Sequence, residues 1–192
     1  MKVENSFEVP ASRQQAWDLL MDVPRIVPCM PGAELRETVG DDHWKADMAV
    51  KLGPIALNFD TDVTRAAVDE AGSSVTLNAK AREKRGRGGA QAAIQSSLTE
   101  VDPQTTRIDI VTDLTLSGAV AQYGRGIVQD VSQQMVGRFA DCLKSQLAAE
   151  TPEQAQAAVA EHQAKPVKGL SMGLGAAWRS FLRLFGIGRD KS

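Results

Sequence analysis

The 192-residue chain is poor in the side chains that most often build catalytic and metal sites. It has two cysteines, Cys29 and Cys142, and two histidines, His43 and His162, with no Cys-x-x-Cys or His-x-x-x-His spacing. That argues against a structural zinc site, and no metal is expected. The two cysteines leave open either one disulfide or two buried thiols, and buried thiols are the expectation. An excess of charge of either sign is also missing, with a net of -2. The net positive charge that would mark a general nucleic-acid binder is confined to the C-terminus, and the body is slightly acidic. From Lys165 onward six cations face only Asp190, a net of +5 that leaves -7 on residues 1–164. The start, Met1-Lys2-Val3-Glu4-Asn5, passes straight into polar alternation without the apolar core of a leader, so a cytoplasmic protein is expected. A continuous apolar run of the ~20 residues that a spanning helix needs is missing as well.

What the chain does have is a long series of period-2 patterns followed by a period-3.6 pattern. Lys2 to Val9 alternates and predicts a strand. Ser12 with Gln15 makes a capping-box pattern for a short helix carrying Ala16, Trp17, Leu19 and Leu20. Pro24 to Met30 permits a second short helix, stopped by Pro31-Gly32. Alternation then places Trp44, Ala46, Met48, Val50 and Leu52 on one face of a strand, and Ile55, Leu57, Phe59, Thr61 and Val63 on one face of the next. Val75 to Ala81, Ala90 to Leu98 and Ile108 to Leu116 repeat the pattern, and the short connections predict an antiparallel meander. Val120, Tyr123, Ile127, Val131, Met135, Phe139, Leu143 and Leu147 recur every three or four residues, predicting one helix over 119–150.

A strand, two short helices, six strands and a long C-terminal helix predict an α+β helix-grip fold of the START/Bet v 1 kind. A curved antiparallel sheet wraps the helix over residues 1–150 and encloses an apolar cavity. The inward residues Ala46, Ala79, Ala81, Ala90 and Ala92 are small; they either leave room for a ligand or allow close sheet–helix approach. Candidate cavity residues are Met48, Leu57, Phe59, Leu77, Ile94, Ile110, Leu114, Tyr123 and Ile127, with the single tyrosine placed to hydrogen-bond a ligand carbonyl or to reach water.

Residues 151–168 are polar, rich in Ala and Gln and bounded by Pro152 and Pro166. They read as a linker with room for a helical stretch between Pro152 and Gln163. Beyond it, residues 169–192 have the pattern of an amphipathic membrane-surface helix. Leu174, Trp178, Phe181, Leu182 and Phe185 fall on one face, Arg179 and Arg183 on the other. The alternative is a terminal helix docked on its own domain.

No catalytic set emerges. His43 falls on the outward phase of its strand, and Asp60 and Asp62 share one outward face, which reads as a solvated surface rather than a cation site. Lys80, Arg82, Lys84, Arg85 and Arg87 gather at one hairpin, either as a solvated turn or as a docking patch for an acidic partner. Gly124 and Gly126, costly in a helix, suggest either close approach by ligand or sheet or a kink.

Three segments carry a family resemblance: Cys29-Met30-Pro31-Gly32, Val50-Lys51-Leu52-Gly53-Pro54-Ile55, and Gly118-Ala119-Val120-Ala121-Gln122-Tyr123-Gly124-Arg125. In order and spacing they resemble the CoxG family of carbon monoxide dehydrogenase proteins, a branch of the START-like (SRPBCC) superfamily, over roughly residues 2–148. The resemblance implies a non-catalytic accessory protein of a molybdenum carbon monoxide dehydrogenase. Such a protein would be peripheral on the inner face of the cytoplasmic membrane, tethering the enzyme there and passing its electrons to respiratory quinone. No covalent cofactor is expected; the carried ligand would be menaquinone or ubiquinone, and the partners the dehydrogenase, quinone and membrane lipid. Two other classes remain: a START-like assembly or anchoring subunit without ligand transfer, and a cyclase- or hydrolase-type enzyme on the same fold.

Overall fold

A computed structural model describes residues 1–52, 55–122, 124–149 and 151–164. The chain begins with β1 (Lys2–Val9), then α1 (Arg13–Met21), α2 (Val23–Ile26) and a 3₁₀ turn over Val27–Cys29. Six strands follow: β2 (Ala33–Gly40), β3 (His43–Leu52), β4 (Ile55–Asp69), β5 (Ser74–Glu83), β6 (Gly88–Asp102) and β7 (Thr105–Gly118). A 3₁₀ turn over Ala119–Gln122 leads to α3 (Arg125–Leu147), and α4 (Pro152–Ala164) completes the described chain.

All seven strands form one antiparallel sheet in the order β1-β7-β6-β5-β4-β3-β2. The meander read from the sequence is β2 to β7, and β1 closes the far edge against β7. Of the six strands after the short helices, alternation locates five; β2 is the sixth. Its only half-buried positions are Ala33 and Leu35, so an edge strand with one short apolar dyad leaves little period-2 signal. Gly32 just before it has φ +79°, and a Cβ there would run into the Ala49 carbonyl, so the close β2–β3 approach requires glycine.

Local signals set the helix starts. Ser12 caps α1 with the reciprocal Ser12–Gln15 bonds of a capping box, and the Asp22 side chain accepts from Arg25 N at 3.2 Å to open α2. The long helix differs from its expected span of 119–150. Gly118 turns the chain at φ +66°, four residues run as 3₁₀, and Gly124, extended at ψ 160°, serves as N-cap of a 23-residue α3. The apolar period of Val120 continues into α3, which is why periodicity alone joins the two pieces.

The core divides in two. The larger cluster joins β1, α1, α2 and the sheet to the C-terminal half of α3 through Val9, Leu19, Leu20, Leu98, Ile108, Phe139 and Leu143. Phe7 and Phe139 meet edge to face at 6.3 Å. Cys29 and Cys142 are joined there in a disulfide, not held as two thiols. The stripe that buries Cys142 on α3 brings it within a 5.4 Å Cα separation of the 3₁₀ turn, a proximity that 113 residues of intervening sequence conceal. The helical stretch after Pro152 is α4, and its Val159 packs on this same cluster. The smaller cluster comprises Leu57, Phe59 and Val120.

Candidate ligand-binding groove

Strand register fixes what the concave face presents. One row across the sheet reads Trp44, Val63, Ala79, Ala92, Leu114, and the next reads Ala46, Thr61, Ala81, Ala90, Leu116. Both rows are small on β5 and β6, through Ala79 and Ala92 and through Ala81 and Ala90, and the second row stays small across β4 and β3 through Thr61 and Ala46. Above it α3 is buried unevenly. Phe139, Ala140, Cys142 and Leu143 are buried, whereas Val128, Val131 and Met135 are only half-buried and Ile127 is 45% exposed. The C-terminal half of α3 therefore packs into the larger core, while its N-terminal half and the sheet residues Leu77, Leu114 and Leu116 stay only half-covered, which makes this side of the concave face the candidate groove.

Seven of the nine expected cavity residues fall into three groups. Leu57 (1% exposed) and Phe59 (5%) pack with Val120, and Met48 lies against them. Ile110 belongs to the larger core, with Ile94 against it. Leu77 and Leu114 are half-buried and belong to neither cluster; they occupy the face between the two. Ile127 sits on the first turn of α3, apart from both clusters. Tyr123 lies outside the described residues, as do the tail residues Leu174, Trp178, Arg179, Phe181, Leu182, Arg183 and Phe185. Gly124 and Gly126 have open space where a Cβ would stand, so among the described residues no sheet atom approaches them. Their role is at the helix start.

Two polar features of the concave face escape a reading by pattern. Thr61 Oγ1 is buried without a hydrogen-bond partner among the described residues, within the small residues of the second row. Period-2 alternation places Thr61 inward but says nothing of its partner. Glu83, in register with Phe59, is buried at the end of β5 and folds back on its own hairpin. Its carboxylate accepts from the backbone N–H of Arg85 at 2.8 Å and of Arg87 at 3.2 Å. Burial pushes its pKa up, but these N–H donors and the Arg87 charge outweigh burial and hold it below the usual carboxylate value.

The convex face is a charge lattice. Arg36 reaches Asp47 at 3.2 Å and Asp60 at 3.3 Å, and Lys84 reaches the same two at 2.8 and 3.4 Å. The Lys84 hydrogen bond lowers the Asp47 pKa, partly opposed by burial, and the Asp47 bond raises that of Lys84. His43 Nε2 lies 3.1 Å from Asp62 on the same outward face. Asp60 thus pairs with cationic side chains, and no cluster of metal-ligating residues occurs among the described residues.

A second depression, a cleft of about 840 Å³, lies between α2, the end of α3 and α4. Buried Gln146 spans its floor, donating to Arg25 O at 3.1 Å and Cys29 Sγ at 3.0 Å. No described helix is long and apolar enough to cross a membrane.

Comparison with solved structures gives the same architecture. A conserved protein of Geobacillus kaustophilus superposes with a TM-score of 0.65 at 19% identity, covering 84% of this chain and 96% of that one. A START superfamily protein of Mycobacterium smegmatis gives 0.52 at 14%, covering 76% and 96%. Truncated norcoclaurine synthase of Thalictrum flavum gives 0.55 at 15%, covering 79% and 95%. At these identities the likeness is one of fold: a START-like helix grip. No curated protein sequence matches significantly. The model for CoxG, a family of carbon monoxide dehydrogenase subunits, matches residues 6–148, which takes in the whole of α3 and every strand apart from the start of β1. The chain therefore belongs to the CoxG family of carbon monoxide dehydrogenase subunits.

Proposed function

We propose that this protein is a non-catalytic carrier of respiratory quinone. It would recruit a molybdenum carbon monoxide dehydrogenase to the inner face of the cytoplasmic membrane and pass that enzyme's electrons to the quinone. The observation that supports the reading is the half-covered apolar stretch of the concave face, read as a groove. Ala79, Ala81, Ala90 and Ala92 keep its floor low beneath the half-buried N-terminal turns of α3, while Leu77, Leu114 and Leu116 keep apolar area available at its side. Membership in a family of dehydrogenase subunits supports the partner.

The energetics suit a carrier. Each buried CH₂ of an isoprenoid tail is worth about 0.8 kcal/mol against water, but almost nothing against lipid. A groove can therefore take quinone from a bilayer only if it is nearly as apolar as the bilayer. The two central rows hold no ionisable group, and the charged side chains beside them, Glu83 and Arg65, are engaged by the Arg85 and Arg87 N–H groups and by Met21 O and Asp42, respectively. The tail, with Trp178, Phe181 and Phe185 opposite Arg179 and Arg183, would hold the protein reversibly at the lipid interface.

Transfer is the direct test. Quinone-loaded vesicles are incubated with the full chain and sedimented, and quinone is measured in the supernatant. Near-stoichiometric quinone with the protein is expected. Quinone confined to the pellet at every protein concentration would leave an assembly or anchoring subunit.

A further inference from the structure

An antiparallel meander sorts its turns by end, and here the two ends differ in charge, one mainly acidic with Arg65 paired to Asp42 at 3.2 Å, the other mainly basic with Glu83 folded into its hairpin. The β2–β3, β4–β5 and β6–β7 turns lie together at one end. They bear Asp41, Asp42, Asp69, Glu70, Glu100 and Asp102, with no lysine or arginine in residues 40–42, 69–73 and 100–104. At the opposite end lie the last turn of β3, the β5–β6 hairpin and the crossing from β7 to α3. Lys51, Lys84, Arg85, Arg87 and Arg125 belong to that end, and residues 49–58, 84–88 and 117–127 contain no acid. Lys84 is engaged by Asp47 and Asp60, and Arg87 adjoins Glu83. Lys51, Arg85 and Arg125 are exposed, with no acidic partner among the described residues.

These segments form one patch. Val120 N donates to Arg87 O at 3.3 Å, Gly88 pairs with Gly118, and Val50, Ile55 and Val131 pack on Leu57, Phe59 and Val120. The centre of the patch is apolar. Ile127 is 45% exposed, and Val50, Ile55, Leu116 and Val128 are half-buried.

We propose that this basic end of the folded domain docks head-on against an anionic lipid surface, so that the groove opens toward the bilayer and the acidic turns point into water. Cations around an apolar centre match the headgroup–acyl boundary, where each side chain meets the phase that suits it. The opposite charge at the far end supplies orientation, because the wrong end is repelled within a Debye length of the surface. This inference rests on the carrier reading for its purpose, but docking is measured without quinone. A failed carrier test leaves it standing, and failed docking leaves the quinone content untouched.

The test uses the full chain with quinone-free vesicles of equal parts phosphatidylcholine and phosphatidylglycerol, against phosphatidylcholine alone. At about 5-fold per cation near an anionic surface, Lys51→Gln, Arg85→Gln and Arg125→Gln together should weaken binding to the anionic vesicles about 100-fold and leave binding to neutral ones unchanged. In an otherwise native chain, Ile127→Cys carrying an environment-sensitive fluorophore should shift to the blue on the anionic vesicles. Two results would overturn the proposal. One is undiminished vesicle binding by the triple variant, including the case in which it loses the purified dehydrogenase instead, which would make this end a protein-docking face. The other is vesicle binding with no change at position 127, which would place contact on the tail alone.

Discussion

Breaking the Cys29–Cys142 bond, by reduction or by paired Cys29→Ala and Cys142→Ala changes, should remove a large part of the protein's stability. The bond closes a loop of 113 residues. For a loop near that length the chain-entropy model gives about 4.7 kcal/mol at 25 °C, since the reduced unfolded chain regains that freedom. Little of it should be recovered in the folded state. Both sulfurs lie in the larger core beside Phe139 and Leu143, where the surrounding packing persists, and Gln146 donates to Cys29 Sγ in the disulfide-bonded state. Measured values usually fall below the entropic figure, so about 3–4 kcal/mol is expected. Against the roughly 5–15 kcal/mol that holds a domain together, this leaves the reduced protein marginal. Urea unfolding with and without a phosphine reductant measures the difference. With an m value of about 2 kcal/mol/M the midpoint should fall by roughly 1.5–2 M. Coincident curves, together with two titratable thiols in the unfolded, unreduced protein, would refute the reasoning and restore the free-thiol reading.

Filling the groove should separate binding from stability. Ala92→Phe sets a ring between Ala79 and Leu114 in their shared row and should abolish quinone uptake. An open groove accepts the ring with a change in unfolding free energy under about 1 kcal/mol, whereas a packed interface would lose about 1–3 kcal/mol. Thr61→Val removes a buried hydroxyl that has no described partner and should stabilise the ligand-free protein by about 1 kcal/mol in urea melts. Because Asp47 has a lowered pKa, its contribution is present above the unfolded Asp value of about 3.9 and is lost as pH falls through the lower folded value. Asp47→Asn should therefore flatten the stability–pH curve below about pH 4 and leave its shape near neutrality unchanged. Phe181→Asp with Phe185→Asp should release the full chain from liposomes while its melting temperature stays fixed; unchanged sedimentation would count against the tail as anchor.

The fold was legible because its signals are local and mutually consistent. Alternation assigned the correct face to both central rows, from Trp44 to Leu114 and from Ala46 to Leu116, since a one-residue slip would expose an entire apolar row. The Ser12–Gln15 box marked the start of α1 to the residue. Less visible were features that depend on distant partners. The disulfide unites residues 113 apart, and the docking of Val159 on the core turns a polar, alanine-rich stretch into a packed helix. The break before α3 was hidden because Val120 keeps the helical period across a 3₁₀ turn. Among the candidate cavity residues, pattern gave the face but not the depth. Leu57 and Ile110 are inward and sit in packed clusters, while Leu77 and Leu114, equally inward, remain half-buried between them. Which inward residues stay accessible depends on where α3 lies, and strand periodicity carries no information about that.

The central claim is that the groove holds quinone, and the native protein can answer it. The full chain, purified without detergent from a quinone-containing host, is extracted with organic solvent and the extract is analysed by mass spectrometry. The carrier account expects menaquinone or ubiquinone near one per protein. A clean extract, with no uptake when quinone is added back, would contradict it.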